Sequence, residues 1–154
     1  MSEKPHLMLI EARFYPDIAD ELVRGATAAL DRAGVTHERV VVPGAFEIPA
    51  AIRYAIRSRD FFAARRRFDG YVALGCVIRG ETTHYDYVCQ ESARALQNLV
   101  TEFTLAVGYG ILTVENEDQA WQRAAVDKGN KGGQAAETCL AMIDLKRQFN
   151  LFPR

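Results

Sequence analysis

The sequence predicts an α/β protein in which helices cover both faces of a parallel sheet. Short apolar runs and amphipathic stretches alternate along the chain in the order β-α-β-α-β-α-β-α-α. Strict alternation is typical of a parallel sheet, because each helix returns the chain to the edge where the next strand starts. A length of 154 residues suits one domain, which we expect to span residues 1–154.

Four short apolar runs are the predicted strands. They cover residues 6–12, 38–44, 70–78 and 105–114. The second run ends at the turn dipeptide Pro43-Gly44, and each of the others is followed by polar residues. In a parallel sheet, ligands bind outside the carboxyl ends of the strands. The residues that follow each run are therefore the first candidates for a functional site.

The stretches between and after these runs have the periodicity of amphipathic helices. The first predicted helix lies within residues 13–34, and the others cover residues 46–59, 83–103, 115–129 and 132–149. Pro16 favours the start of the first helix and Gly34 its end. Asn116, with Gln119 three residues later, predicts an N-terminal cap for the fourth helix.

Composition limits the class of partner and the compartment. The net charge of −1 argues against nucleic acid as the main partner, because no excess of cations faces the phosphates. No apolar run is long enough to span a membrane, and we expect no secretory signal. The three cysteines, Cys76, Cys89 and Cys139, form no CxxC pair and no disulfide framework. Reduced thiols fit a cytoplasmic protein.

The third strand is followed by an unusual set of polar residues, within "VIRGETTHYDYV" at 77–88. Thr83, with Asp86 three residues later, resembles a capping pair and predicts a helix that begins there. The free N–H groups of a first helical turn bind anions, and the hydroxyl of Thr82 adds a donor. His84 would lie beside that anion and could move protons near neutral pH. Alternatively, His84 is a surface or capping residue.

Other residues after the strands allow two interpretations each. Phe14 follows the first strand and either stacks on a flat heterocycle or forms the rim of the core. Glu47 follows the second strand and either accepts hydrogen bonds from a polyol or favours a helix N-terminus. Without further context, Arg123 and Lys131 are interpreted as solvated surface charges.

Four motifs, in order and at nearly the expected spacing, resemble the lumazine synthase family. They are "VPGAFEIP", "ALGCVIRGETTHYDYV", "GILTVENEDQAWQRA" and "NKGG", and the similarity runs from about Arg13 to Phe149. The resemblance implies a flavodoxin-like α/β/α sandwich with the sheet order 2-1-3-4. It also implies an enzyme that condenses 5-amino-6-(D-ribitylamino)uracil with 3,4-dihydroxy-2-butanone 4-phosphate. The products would be 6,7-dimethyl-8-ribityllumazine, phosphate and water, with neither a metal nor an organic cofactor.

The resemblance also implies roles for individual residues. Those at the pyrimidine and its ribityl chain would be Phe14, Ala45, Phe46, Glu47, Cys76, Val77, Ile78 and Tyr109. Phe14 would stack on the ring, residues 45–47 would hold the ribityl chain and the ring edge, and residues 76–78 would meet the pyrimidine through backbone groups. Tyr109 would close this side of the site.

The phosphate side follows from the same resemblance. Glu81 and Thr82 would offer backbone N–H groups, and Thr82 also its hydroxyl. His84 would transfer protons. Arg123 would reach in from a neighbouring subunit to neutralise the phosphate, and Lys131 would line the site.

The sequence also supports an expectation about the oligomeric state and leaves two alternative functions to be considered. The stretch "RAAVDKGNKGG" differs from the "GTKAGN" hinge of relatives that form sixty-subunit shells, and few residues precede the first strand, so we expect a homopentamer. One rival is a module that binds a flavin or lumazine without turnover, which would lose His84 or the phosphate residues. Another is a flavodoxin-like signalling domain, which needs an acidic cluster and an aspartate at a strand end.

Overall fold

The structure of the chain, a computed structural model, describes residues 3–64 and 67–153. Its strands are β1 (His6–Ala12), β2 (Thr36–Val42), β3 (Gly70–Ile78) and β4 (Val107–Val114). Its helices are α1 (Pro16–Ala33), α2 (Ile48–Ser58), α3 (His84–Phe103), α4 (Glu117–Ala124) and α5 (Lys131–Gln148). A short 3₁₀ helix, Ala45–Glu47, leads into α2.

The four strands form one parallel sheet in the order β2-β1-β3-β4, as predicted. All four carboxyl ends therefore lie at the same edge of the sheet. The sheet lies between two helical layers, which confirms the α/β/α sandwich. Alternate β1 residues point to opposite faces: Leu7 and Leu9 pack with α1, α4 and α5, whereas Met8 and Ile10 pack with α2 and α3.

Local sequence explains where several helices begin and end. In α1 the buried residues include Ile18, Leu22 and Leu30, which lie on one face of the helix, as amphipathic periodicity predicts. Gly34 ends α1 in the left-handed conformation, at φ 70°, which glycine adopts without a steric penalty. The cap of α4 is confirmed, because the side-chain oxygen of Asn116 accepts from the backbone N–H of Gln119 at 2.9 Å.

Several predicted boundaries were wrong. The start of α1 at Pro16 was predicted correctly, whereas the residue at the front of that stretch still belongs to the sheet edge, since the Arg13 N–H donates to the Val42 carbonyl at 3.2 Å. Strand β2 covers residues 36–42 rather than 38–44, since it pairs with β1 along its whole length. Helix α4 ends at Ala124 rather than at 129, because Ala125 leaves the helical region at ψ 129°.

Other corrections concern helix starts. The predicted helix 46–59 is a 3₁₀ turn followed by α2, and Pro49 lies in the first turn of α2. The predicted capping pair at the start of α3 does not form, because Thr83 makes no side-chain capping hydrogen bond. Strands β1 and β3 have the predicted bounds, and the remaining boundaries differ by at most two residues. None of the helices in the described part of the chain is both long and apolar enough to cross a membrane.

Candidate functional site

A cavity of about 570 Å³ opens at the carboxyl edge of the sheet, beside the start of α3. It brings together most of the residues predicted for the site: Phe14, Ala45, Phe46, Glu47, Cys76, Val77, Ile78, Thr82 and His84. These residues come from the ends of three strands and from the loop before α3. A smaller cavity between β2 and α2, of about 480 Å³, shares only Glu47 with the predicted set. A third, of about 320 Å³ near the amino end of β3, contains none of it.

Aromatic side chains form one wall of this cavity. Phe14 is 71% exposed and makes an edge contact with Tyr15, with the ring centroids 5.0 Å apart. Phe14 therefore buries little of its ring against the core, and most of the ring is available to a ligand. Phe46 is also exposed, at 57%. Exposed aromatic faces beside a cavity are suited to stacking on a flat ring.

Glu47 supplies the acidic group of the cavity. It ends the 3₁₀ turn and precedes α2, but its side chain makes no capping hydrogen bond to that helix. The carboxylate instead lies next to Gly44, where an added Cβ would be 3.3 Å from Oε1. A carboxylate at a cavity wall can accept hydrogen bonds from hydroxyl groups.

The end of β3 forms the floor of the cavity. Burial raises the pKa of the Cys76 thiol to about 12. This thiol is therefore protonated at neutral pH and does not act as a nucleophile, since the thiolate is the reactive form. Val77 and Ile78 are partly buried. What the strand end offers a ligand is its backbone and apolar side chains.

The loop between β3 and α3 presents backbone donors. Among the described residues, no protein group accepts a hydrogen bond from the N–H groups of Glu81, Thr82 or Thr83. The His84 N–H donates to Thr82 Oγ1 at 3.3 Å, so the threonine hydroxyl keeps its own proton for another acceptor. The His84 side chain is exposed at the first residue of α3. The helix dipole adds positive potential at this position.

Four of the predicted site residues do not line this cavity. Glu81 lies in the loop between two lining residues, Gly80 and Thr82, but its side chain points to solvent. Tyr109 lies on the edge strand β4 and is 43% exposed. Arg123 is exposed on α4, where Nη1 donates to the Gln119 carbonyl at 3.0 Å. Lys131 is exposed at the start of α5.

The cavity has no cationic lining. Its lining within the described chain contains one carboxylate, Glu47, and no arginine or lysine. Among the described residues, an anionic ligand would find N–H donors, the Thr82 hydroxyl, His84 and the helix dipole here, but no arginine or lysine. No group of three His, Cys, Asp or Glu residues in the described ranges is arranged to hold a metal ion.

Sequence reasoning did not single out several lining residues. Those on the first turns of α3 are Tyr85, Tyr87 and Val88, and Tyr15 follows Phe14. A usable signal was present for two of them. Residues three and four positions apart share a helix face, so Tyr87 and Val88 lie on the side of His84.

The sequence is similar to one family of known proteins. The sequence model of the family described as 6,7-dimethyl-8-ribityllumazine synthase matches residues 4–147. A 6,7-dimethyl-8-ribityllumazine synthase from Bartonella tribocorum is 53% identical over 149 residues, which cover 97% of this chain and 95% of the relative. A 6,7-dimethyl-8-ribityllumazine synthase 1 from Rhizobium meliloti is 55% identical over 143 residues, covering 93% of this chain and 92% of that protein.

Proposed function

Since the chain belongs to the 6,7-dimethyl-8-ribityllumazine synthase family, we propose that it catalyses the reaction of that family. It condenses 5-amino-6-(D-ribitylamino)uracil with 3,4-dihydroxy-2-butanone 4-phosphate to give 6,7-dimethyl-8-ribityllumazine, phosphate and water. The observation that carries the proposal is the shared cavity. One space holds exposed aromatic rings, a carboxylate, unpaired backbone donors and a histidine.

The pyrimidine occupies the side of the cavity formed by the strand ends. Phe14 stacks on the ring, and the backbone of residues 76–78 meets its polar edge. Residues 45–47 hold the ribityl chain, with the Glu47 carboxylate as acceptor for its hydroxyls. The free position of that carboxylate, which caps no helix, supports this role.

The phosphate substrate occupies the side formed by the loop before α3. The N–H groups of Glu81 and Thr82 and the Thr82 hydroxyl bind the phosphate. These donors have no protein acceptor among the described residues, which supports the assignment. His84 lies between this anion site and the pyrimidine side, where it transfers protons.

The chemistry needs orientation more than strong catalytic groups. The amine of the pyrimidine attacks the ketone to form a carbinolamine, which loses water to give an imine. Phosphate then leaves by elimination, and the ring closes through the second nitrogen, again with loss of water. Holding two substrates in register is worth up to about 7–11 kcal/mol of barrier. General acid–base catalysis by His84 contributes about 100-fold to 10,000-fold.

The site is completed by a second copy of the chain. A phosphate monoester favours a permanent cation, and no arginine or lysine of the described residues lines the cavity of one copy. Arg123 of a neighbouring copy supplies that charge, and Tyr109 and Lys131 reach the site in the same way. Closed cyclic assembly lets every copy both give and receive these residues. We assign a homopentamer that consists of one domain per chain, residues 1–154, and acts in the cytoplasm, where the three free thiols stay reduced.

Two experiments test the proposal. Purified protein is mixed with both substrates, and the absorbance of the lumazine is followed against the uncatalysed rate. Tight binding of the pyrimidine without acceleration would favour the rival binding module.

The second experiment mixes equal amounts of His84→Ala and Arg123→Ala subunits after dissociation and reassembly. If Arg123 acts across the interface, about a quarter of the sites in mixed rings regain both residues, and activity rises above that of either variant alone. No gain on mixing would place both residues in the same subunit's site and refute the shared arrangement.

A further inference from the structure

Arg79 lies at the junction of β3 and the loop that contains the backbone donors, but it does not line the cavity. Its neighbours Ile78 and Gly80 do line it. The Arg79 backbone N–H donates to the Val114 carbonyl at 2.9 Å, so the main chain here is fixed to the end of β4. Its side chain is 40% exposed and leads away from the cavity.

The guanidinium of Arg79 is held by three groups. Nε donates to the two carboxylate oxygens of Glu115 at 3.0 and 2.9 Å, and Nη1 to Asp86 Oδ1 at 3.4 Å. The guanidinium carbon lies 4.2 Å from the centroid of the Tyr85 ring. Its charge is thus balanced by two carboxylates, which disfavours a second role as phosphate ligand.

These contacts connect three separate segments. Glu115 follows β4, and its own N–H donates to the Gln119 side chain at 2.8 Å, within the capped start of α4. Tyr85 and Asp86 belong to the first turn of α3, directly after His84. One guanidinium therefore joins the end of β3, the end of β4 and the turn that carries the histidine.

We propose that Arg79 is a positioning residue that holds the backbone donors of Glu81 and Thr82, and the imidazole of His84, in register for the phosphate substrate. This inference rests on the proposed function of the cavity. An ion pair at this exposure adds little to folding stability. A misplacement of about 1 Å at a reacting centre, by contrast, can cost about 100-fold in rate.

The decisive test compares Arg79→Gln with Glu115→Gln. If Arg79 bound the phosphate directly, removing its Glu115 partner would free the guanidinium, and phosphate would bind as well or better. If Arg79 is a positioning residue, both substitutions weaken phosphate binding in the same way. Because they break the same contact, the double variant then matches the single variants rather than adding to them.

Two readouts are used, on the assembled full-length protein. In the steady state, we expect both variants to raise the KM for the phosphate substrate about 10-fold or more, with the KM for the pyrimidine within about two-fold. Calorimetric titration with inorganic phosphate should show the same loss of affinity without requiring turnover. Arg79→Lys keeps the positive charge but loses the planar guanidinium with its several N–H donors, so it should retain only part of the phosphate affinity.

A matched control is available on the same helix as His84. Arg94 and Glu91 form an exposed ion pair on α3, with Nη2 and Oε1 2.7 Å apart. Arg94→Gln removes a charge of the same sign at similar exposure and should leave both KM values and phosphate affinity unchanged.

Failure of the positioning role of Arg79 can be distinguished from failure of the proposed function. If the unmodified protein makes no lumazine, the proposed function is refuted. The phosphate titration then still tests the positioning role of Arg79. Unchanged phosphate affinity in Arg79→Gln, tighter binding in Glu115→Gln, or no phosphate binding by the unmodified protein would each overturn the role given to Arg79. A parallel loss of both substrates' affinity would indicate general disruption and would also overturn it.

Discussion

The buried carboxylate of Glu11 allows a quantitative test of the packing near the candidate site. Only 1% of Glu11 is exposed, and two arginines hold it. Oε1 accepts from Arg13 Nη1 and from Arg39 Nη2, both at 2.9 Å, and Oε2 accepts from Arg39 Nε at 2.6 Å. The side chain of Arg39 is 51% exposed and that of Glu11 only 1%, so water reaches the arginine but not the carboxylate.

This asymmetry predicts unequal effects when either partner is removed. Arg39→Met leaves a buried carboxylate with one donor instead of three. Two charge-assisted hydrogen bonds are worth about 1.5–3 kcal/mol each, and partial access of water reduces the sum, so we expect a loss of about 2–4 kcal/mol. Glu11→Met leaves arginines that water can solvate, and Arg13 keeps Asp20 at 2.6 Å. We expect that variant to lose only about 1–2 kcal/mol.

The pH dependence supplies an independent check. Burial raises the pKa of Glu11, but the hydrogen bonds and charges of Arg39 and Arg13 outweigh it and hold that pKa below its ordinary value of 4.5. The ionised carboxylate therefore contributes stability that is fully present above the unfolded-state pKa and is lost as pH falls through the folded-state pKa. Without Arg39 the pKa rises, and the stability gap between variant and unmodified protein should narrow below pH 4.5.

Urea unfolding at one fixed protein concentration measures these differences, because assembly makes apparent stability depend on concentration. The double variant Glu11→Met/Arg39→Met should be no less stable than Arg39→Met alone. A larger loss in Glu11→Met than in Arg39→Met, or losses that simply add in the double variant, would refute the reasoning.

Three further predictions concern other parts of the chain. An added Cβ at Gly132 of α5 would collide with the Leu22 carbonyl of α1, so Gly132→Ala should cost about 1–3 kcal/mol in urea unfolding, whereas Gly80→Ala, with open space around it, should be nearly neutral. Asn116→Ala removes a formed cap and should cost about 1 kcal/mol, whereas Thr83→Ala, where no side-chain cap bond exists, should cost much less; equal losses would contradict this. Because burial raises the pKa of Cys76 to about 12, iodoacetamide at pH 8 should leave Cys76 unlabelled in the folded protein, and rapid labelling there would contradict its burial.

Much of the fold was predictable because the local patterns agree with one another. Alternation of apolar runs with amphipathic stretches gave the parallel sandwich, and the resemblance gave the strand order that the structure confirms. The predicted ends of an element were wrong where pairing with a segment distant in sequence determines them. The start of β2 at Thr36 depends on its partner strand, with which it pairs along its whole length.

The candidate site was predictable only in part, for a related reason. Residues that directly follow strands meet in the cavity because parallel strands share an edge, which explains Phe14, Glu47 and His84. Tyr109, Arg123 and Lys131 lie outside the cavity of one chain, and only the proposed assembly would bring them to it. Tyr85 was missed because nothing in its sequence position distinguishes it from other residues of the helix, whereas Tyr87 shares a helix face with His84 and could have been found by that spacing.

The most direct test of the proposed reaction is the initial rate of lumazine formation by unmodified protein and by His84→Ala, with both substrates saturating. We predict catalysis well above the uncatalysed rate in the unmodified protein. We predict a rate lower by about 100-fold to 10,000-fold in the variant, yet still above background, because orientation of the substrates survives. Equal rates in the two proteins would contradict the role of His84, and no acceleration by the unmodified protein would contradict the function.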